Sequence, residues 1–141
     1  MKALTVCQPY AHLIALGEKR VENRTWPTGY RGWLAIHAGK SRKYLDTEGE
    51  DERRWPDMAW GAIVAVCLLT ACVYRYGQLT DLIGERPELQ WLTTHEHVEG
   101  PYCWILENVR RLAKPVACPG QRGLFEVPVG VASCVRRLVT L

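Results

Sequence analysis

Apolar residues fall in short runs separated by turn residues, the pattern of a sheet-based domain rather than of long helices. Residues 3–7 (ALTVC) read as an opening strand, and Pro9 suits the first turn of a helix, where its missing amide hydrogen is not needed. Tyr10, Leu13, Ile14 and Gly17 then share the helical period, and Gly17 is a natural stop. The next unit, EKRVENRTW, reads as extended, with Glu22, Arg24 and Trp26 on one face and Val21, Asn23 and Thr25 on the other. Pro27-Thr28-Gly29 signals a turn, and residues 33–39 (WLAIHAG) form the next strand candidate.

Residues 40–58 are polar and contain Pro56, which predicts a surface excursion with a short helix at most. Residues 61–73 (GAIVAVCLLTACV) are the longest largely apolar run, far below the ~20 residues needed to span a bilayer, so they read as a buried strand. Thr80 or Asp81 is placed to cap a brief helix interrupted by Pro87. Residues 102–109 (YCWILENV) predict another strand, and the turn at 120–123 (GQRG) leads into 124–127 (LFEV). These elements predict one α/β domain over residues 1–141, built on a curled sheet or barrel with short peripheral helices and a polar excursion at about 40–60.

Composition narrows the class. A chain of 141 residues can bury a core without disulfides or metal, and 48% hydrophobic with 23% charged residues excludes disordered, collagen-like and mucin-like chains. The net charge of +3 hides an uneven distribution: residues 1–45 carry eight Lys/Arg against two Asp/Glu, and residues 101–141 carry six against two. Residues 46–60 are acidic, with six Asp/Glu against two Lys/Arg. If the two basic ends meet in the fold, a polyanion experiences a basic face far stronger than the net charge implies. The six cysteines include no CxxC pair, and no apolar run with a small-residue cleavage site opens the chain. Reduced thiols, no structural zinc and a cytoplasmic location are therefore expected.

The densest chemistry lies at Gly17–Trp26, where Lys19, Glu22 and Arg24 put a carboxylate between two strong cations. Arg24 offers a planar donor fork to phosphate or a base edge and Lys19 a point charge; equally, Glu22 and Arg24 can form a pair that only supports the strand. Tyr30-Arg31-Gly32-Trp33 combines rings with a cation, as single-stranded nucleic-acid binders do, although each ring alone is an ordinary packing residue. His37, Lys40 and Ser41 end the strand candidate at 33–39, where His37 is either a proton shuttle or a hydrogen-bonded core residue. Thr94-His95-Glu96-His97 invites a metal proposal but lacks HExxH and a third ligand, so a polar loop is expected. Arg122, in the 120–123 turn, can meet an anion or a base. No GxxxxGK[ST] or GxGxxG motif occurs, which argues against P-loop hydrolysis and dinucleotide oxidoreduction.

The stretches LTVCQPYAHLIALGEKRVENRTW (4–26), YRGWLAIHAGKS (30–41), GAIVAVCLL (61–69), GPYCWILENVRRL and GLFEV together resemble an ASCH domain of the PUA-like superfamily. The resemblance implies a compact PUA-like β-barrel or strongly curled mixed sheet, with a cleft associated with RNA or other nucleic acid. It places Lys19, Glu22, Arg24, Tyr30, Arg31, His37, Lys40 and Ser41 near a common ligand region. The superfamily also includes small amidohydrolases of acetylated cytidine derivatives and proteins assigned ribonuclease activity. In the first branch a catalytic lysine stands at the place of Lys19 and a threonine at that of Glu22, so this chain keeps the lysine and replaces the threonine by glutamate.

Two functions follow as expectations. The leading one is binding of single-stranded or locally opened RNA, with Lys19, Arg24, Trp26, Tyr30, Arg31, Lys40 and Arg122 as contacts and Tyr10 as a further stacking ring. The alternative is a small metal-independent hydrolase of N4-acylated cytidine-like nucleosides or RNA phosphodiesters, using Lys19, Glu22, His37, Lys40 and Ser41. Neither requires a cofactor, a metal or a membrane. Trp55 and Trp60, in the acidic stretch, leave a protein-interaction role open.

Overall fold

Two long antiparallel strands carry the sheet. The computed structural model describes residues 1–47 and 52–139. In chain order its elements are β1 (Lys2–Val6), α1 (Tyr10–Ala15), β2 (Val21–Arg24), β3 (Gly32–Ala38), α2 (Lys43–Thr47), β4 (Ala62–Tyr74), α3 (Gln78–Glu85), β5 (Tyr102–Ala117), β6 (Leu124–Glu126) and α4 (Val129–Leu138). Short 3₁₀ turns occupy Glu52–Arg54 and Pro87–Thr93.

The sheet order is β2-β5-β4-β3-β1-β6, with β1 and β3 parallel and the other neighbours antiparallel. Between β4 and β5 the register shifts at Ile63/Ala65, Val66/Leu68 and Leu69/Ala71, and a further shift falls between Ile36 and His37 on β3. Each irregularity bends its strand and increases the twist, which curls the six strands into a half-barrel. The expected curled mixed sheet with short helices is the fold observed.

Period-two alternation sorts the two faces. Leu4, Leu34, Ile36, Leu69, Trp104 and Leu106 pack with Ala11 and Ile14 of α1 on one face. Ala3, Ala35, Ile63, Val66 and Phe125 pack with Ala132 and Val135 of α4 on the other. Fully burying a side chain such as Leu4 or Ile14 contributes roughly 1.5–3 kcal/mol, so α1 is held firmly despite its short length. A third cluster joins Val21, Cys103 and Ile105 to Leu89 and Leu92 of the 87–93 turn.

Several boundaries differ from expectation. The first strand ends at Val6, because the Cys7 carbonyl already accepts from the Tyr10 and Ala11 amides and opens the helix. The extended reading of 18–26 narrows to β2. α3 starts at Gln78, ahead of Thr80 and Asp81, because Gly77 at φ 108° reverses the chain and the Gln78 side chain receives the Tyr74 amide. β5 runs on to Ala117 instead of ending at 109; beyond Ile105 it has lost β2 as a neighbour, so Pro115 lies on an open edge where no ladder donor is needed. α4 was not legible, since its small and β-branched residues (VGVASCVRRL) carry weak helix propensity and tertiary packing decides. The excursion after β3 is anchored by Leu45, Trp55 and Met58, which bury themselves against Leu13 and Trp60. Its centre, residues 48–51, lies outside the described residues.

No helix among the described residues is long and apolar enough to cross a membrane.

Candidate functional site

The site begins with the end of α1. Gly17, at φ 80°, turns the chain so that the Glu18 and Lys19 amides both donate to the Leu13 carbonyl. This fold-back directs the Lys19 side chain inward, where only 4% of it remains exposed. Its Nζ donates to the Val21 carbonyl at 2.6 Å, lies 3.6 Å from Glu22 Oε1 and sits 5.4 Å from the centre of the Tyr10 ring. Burial pushes the Lys19 pKa down, against the upward pull of Glu22 and Glu99, so its proton is held less tightly than in a free lysine.

Glu22 and Arg24 share a face of β2, as alternation predicts. The Arg24 guanidinium donates to Glu22 Oε2 through Nε at 3.2 Å and Nη2 at 2.8 Å. Nη2 also donates to the Thr5 carbonyl at 2.7 Å, bridging the edge strand to β1. One carboxylate is thus shared between a buried ammonium and a half-buried guanidinium.

These groups floor a cleft of about 420 Å³ walled by Tyr10, Trp26, Tyr44, His97 and Glu99. Asn23, on the opposite face of β2, holds the last two in place: its Nδ2 donates to the His97 carbonyl at 2.8 Å, and its Oδ1 accepts from the Glu99 and Gly100 amides at 3.0 and 2.7 Å. Burial, and next the Lys19 charge, lower the His97 pKa. Trp26 stands edge-on to the buried Trp104 with ring centres 4.9 Å apart, which fixes its position at the rim. A second, more open depression of about 570 Å³ adjoins the cleft, sharing Thr5, Arg24 and Trp26 with it and bounded by Gly120, Gln121 and Arg122.

Of the residues singled out from sequence, Lys19, Glu22, Arg24, Trp26 and Tyr10 converge on the cleft and Arg122 on the adjoining depression. Tyr30, Arg31, His37, Lys40 and Ser41 line neither space. Tyr30 donates its hydroxyl to the Trp33 carbonyl, and exposed Arg31 folds onto the Thr28 and Tyr30 carbonyls. His37 is buried, within 3.1 Å of Thr5 Oγ1 and 2.6 Å of the Cys118 carbonyl, and burial lowers its pKa. The exposed Lys40 packs its aliphatic chain against Gly61, and Ser41 Oγ accepts from the Lys43 amide. Sequence reading passed over Thr5, Tyr44, Asn23 and Glu99, whose residue types carry no signal of their own. The alternating histidines did mark His97, but as a loop. All six cysteines are free, and among the described residues no cluster of three or more His, Cys, Asp or Glu side chains could hold a metal ion.

A sequence model described as the ASCH domain matches residues 4–116, a span that contains Lys19, Glu22, Arg24 and the residues that wall the cleft. No curated protein matches the chain. Among solved structures, the ASCH protein of Zymomonas mobilis is similar at a TM-score of 0.56 and 15% identity, over 97% of this chain and 94% of that one. A tyrosine-to-phenylalanine variant of the Zymomonas mobilis protein matches at a TM-score of 0.54 and 15% identity, over 97% of this chain and 96% of that one. Its serine-to-alanine variant gives 0.54 and 15%, over 97% and 94%. At this identity the structural likeness bears on the fold, and the sequence match bears on descent. With the family model covering residues 4–116, most of the chain, the chain belongs to the ASCH domain family.

Proposed function

We propose that this ASCH domain binds single-stranded or locally opened nucleic acid, RNA in the first instance, by taking one base into the Lys19–Glu22–Arg24 cleft. The observation that carries this reading is that the cleft lies beside the depression bounded by Arg122, with Thr5, Arg24 and Trp26 common to both. A base enters between the rings of Tyr10 and Trp26, while its phosphates meet Arg24 and Arg122 in the open depression. Glu22 orients both cations and offers acceptor capacity to an exocyclic amino group. Fluorescence anisotropy with short RNA and DNA single strands across a salt series tests the reading. With Arg24 and Arg122 as phosphate contacts, the logarithmic salt slope is expected near about −1.4. Absence of association with varied single strands at low salt overturns it.

A second reading rests on the buried Lys19 beside a carboxylate, and treats the same cleft as a hydrolase site for an N4-acylated cytidine-like nucleoside. Deprotonated Lys19 takes a proton from water as the oxygen adds to the amide carbonyl. Arg24 steadies the oxyanion, and the proton passes to the departing amine as the C–N bond breaks, leaving a carboxylic acid and the free amino base. Incubation with acylated nucleosides distinguishes the two: product formed by the wild type and lost in Lys19→Met supports turnover, whereas saturable binding without product supports recognition alone.

A further inference from the structure

Aromatic surface continues beyond the cleft. Tyr102 of β5 is the register partner of Arg24 on β2 and of Tyr74 on β4, so Arg24, Tyr102 and Tyr74 form one row across three strands on a single face. Paired residues lie about 5 Å apart, so the row carries the cleft's guanidinium position to Tyr74 in about 10 Å. The Tyr102 and Tyr74 rings have centres 5.4 Å apart, and Tyr76 extends the series at 5.5 Å from Tyr74. Tyr74 and Tyr76 are 39% and 66% exposed, an uncommon outlay of ring surface at the end of a sheet. The Arg75 guanidinium lies 5.5 Å from the Tyr76 ring and donates to the Glu99 carbonyl, tying the tyrosines to the loop that walls the cleft.

We propose that Tyr102, Tyr74 and Tyr76, with Arg75, form a stacking ledge for the nucleotides that flank the one held in the cleft, so that the ligand is a single strand rather than a free nucleoside. The inference rests on the nucleic-acid reading of the cleft and extends it. Flat ring faces tolerate any base, a neighbouring cation attracts phosphate, and the register row makes the ledge continuous with Arg24. The basis is the juxtaposition of a cleft cation and three consecutive tyrosine rings, two of them exposed.

Calorimetry with uridine and adenosine monophosphates, and with the matching RNA dinucleotides, trinucleotides and pentanucleotides, tests the ledge. The wild type is expected to gain about tenfold in affinity for each of the first added nucleotides. The Tyr74→Ala/Tyr76→Ala variant loses most of that gain while its mononucleotide affinity and thermal midpoint stay unchanged. Tyr74→Phe/Tyr76→Phe retains the gain, because stacking needs the ring and not the hydroxyl. A length dependence that survives the alanine pair, or mononucleotide binding that grows no tighter with length, overturns the ledge and leaves the cleft standing. If neither mononucleotides nor strands bind the wild type, the cleft reading fails and the ledge falls with it.

Discussion

Arg24 donates a 2.7 Å hydrogen bond to the Thr5 carbonyl, joining edge strand β2 to β1 across the open side of the half-barrel. Nε and Nη2 of the same fork also hold Glu22. A lysine supplies the charge but cannot reach both acceptors in one plane. Arg24→Lys is therefore expected to lose about 1.5–3 kcal/mol in denaturant unfolding, and to weaken oligonucleotide binding although charge is conserved. Unchanged stability would show that the seam does not depend on the guanidinium.

Lys19 and Glu22 give an alkaline signature. The folded Lys19 pKa lies below its ordinary value, so the unfolded chain holds this proton to higher pH and the wild type gains stability from this group as pH rises toward about 10.4. Glu22→Gln removes an upward pull on that pKa and leaves the ammonium buried without its nearest counter-charge. The variant is expected to be less stable at neutral pH and to recover toward wild type in alkaline buffer, as lysine deprotonates. Urea midpoints across this range check it; a deficit that is constant with pH contradicts the coupling.

Four buried or half-buried histidines set the acid side. Burial lowers the pKa of His12, His37, His95 and His97. The unfolded chain takes up protons near about pH 6.5 while the folded chain resists until lower pH, so this stability is complete above about 6.5 and lost as pH falls through the folded values. His95 makes the loss structural as well, because its Nε2 accepts the Arg20 amide at 3.1 Å, one residue from Lys19, and cannot do so when protonated. The thermal midpoint is expected to fall steadily between about pH 7 and about pH 5. A flat profile would sink this assignment.

Gly120 tests the adjoining depression. A Cβ at this position would lie 2.8 Å from His37 Cε1 and 2.9 Å from Thr5 Oγ1, and the imidazole is buried and held 2.6 Å from the Cys118 carbonyl. Gly120→Ala is expected to lift the 120–123 turn, cost about 1–3 kcal/mol and weaken strand binding through displaced Arg122. Arg122→Ala instead leaves stability unchanged and reduces the salt slope by roughly one phosphate contact. Equal stability of Gly120→Ala and wild type would show that the turn does not rest on His37.

The extended segment around Glu22 and Arg24 shows how far sequence reaches. Alternation alone places the two on one face, and helical spacing with Gly17 places the turn that delivers Lys19. Tyr30, Arg31, Lys40 and Ser41 share the same polar and aromatic character, yet their side chains fold onto local carbonyls, local backbone or solvent. Nothing in residue type separates these outcomes, because orientation depends on where the neighbouring strand runs.

By itself the sequence determined the local periods, the short elements, the uneven charge and the family pattern, since each is written in residues close together along the chain. Only tertiary structure decided which of those residues meet. The Asn23 clamp on residues 97–100, the Arg24 bridge to Thr5, the row from Arg24 through Tyr102 to Tyr74 and the turn seated on His37 all join segments distant in sequence. Those contacts follow from the register shifts that curl the sheet, and register is fixed by packing summed over both faces rather than by any single residue.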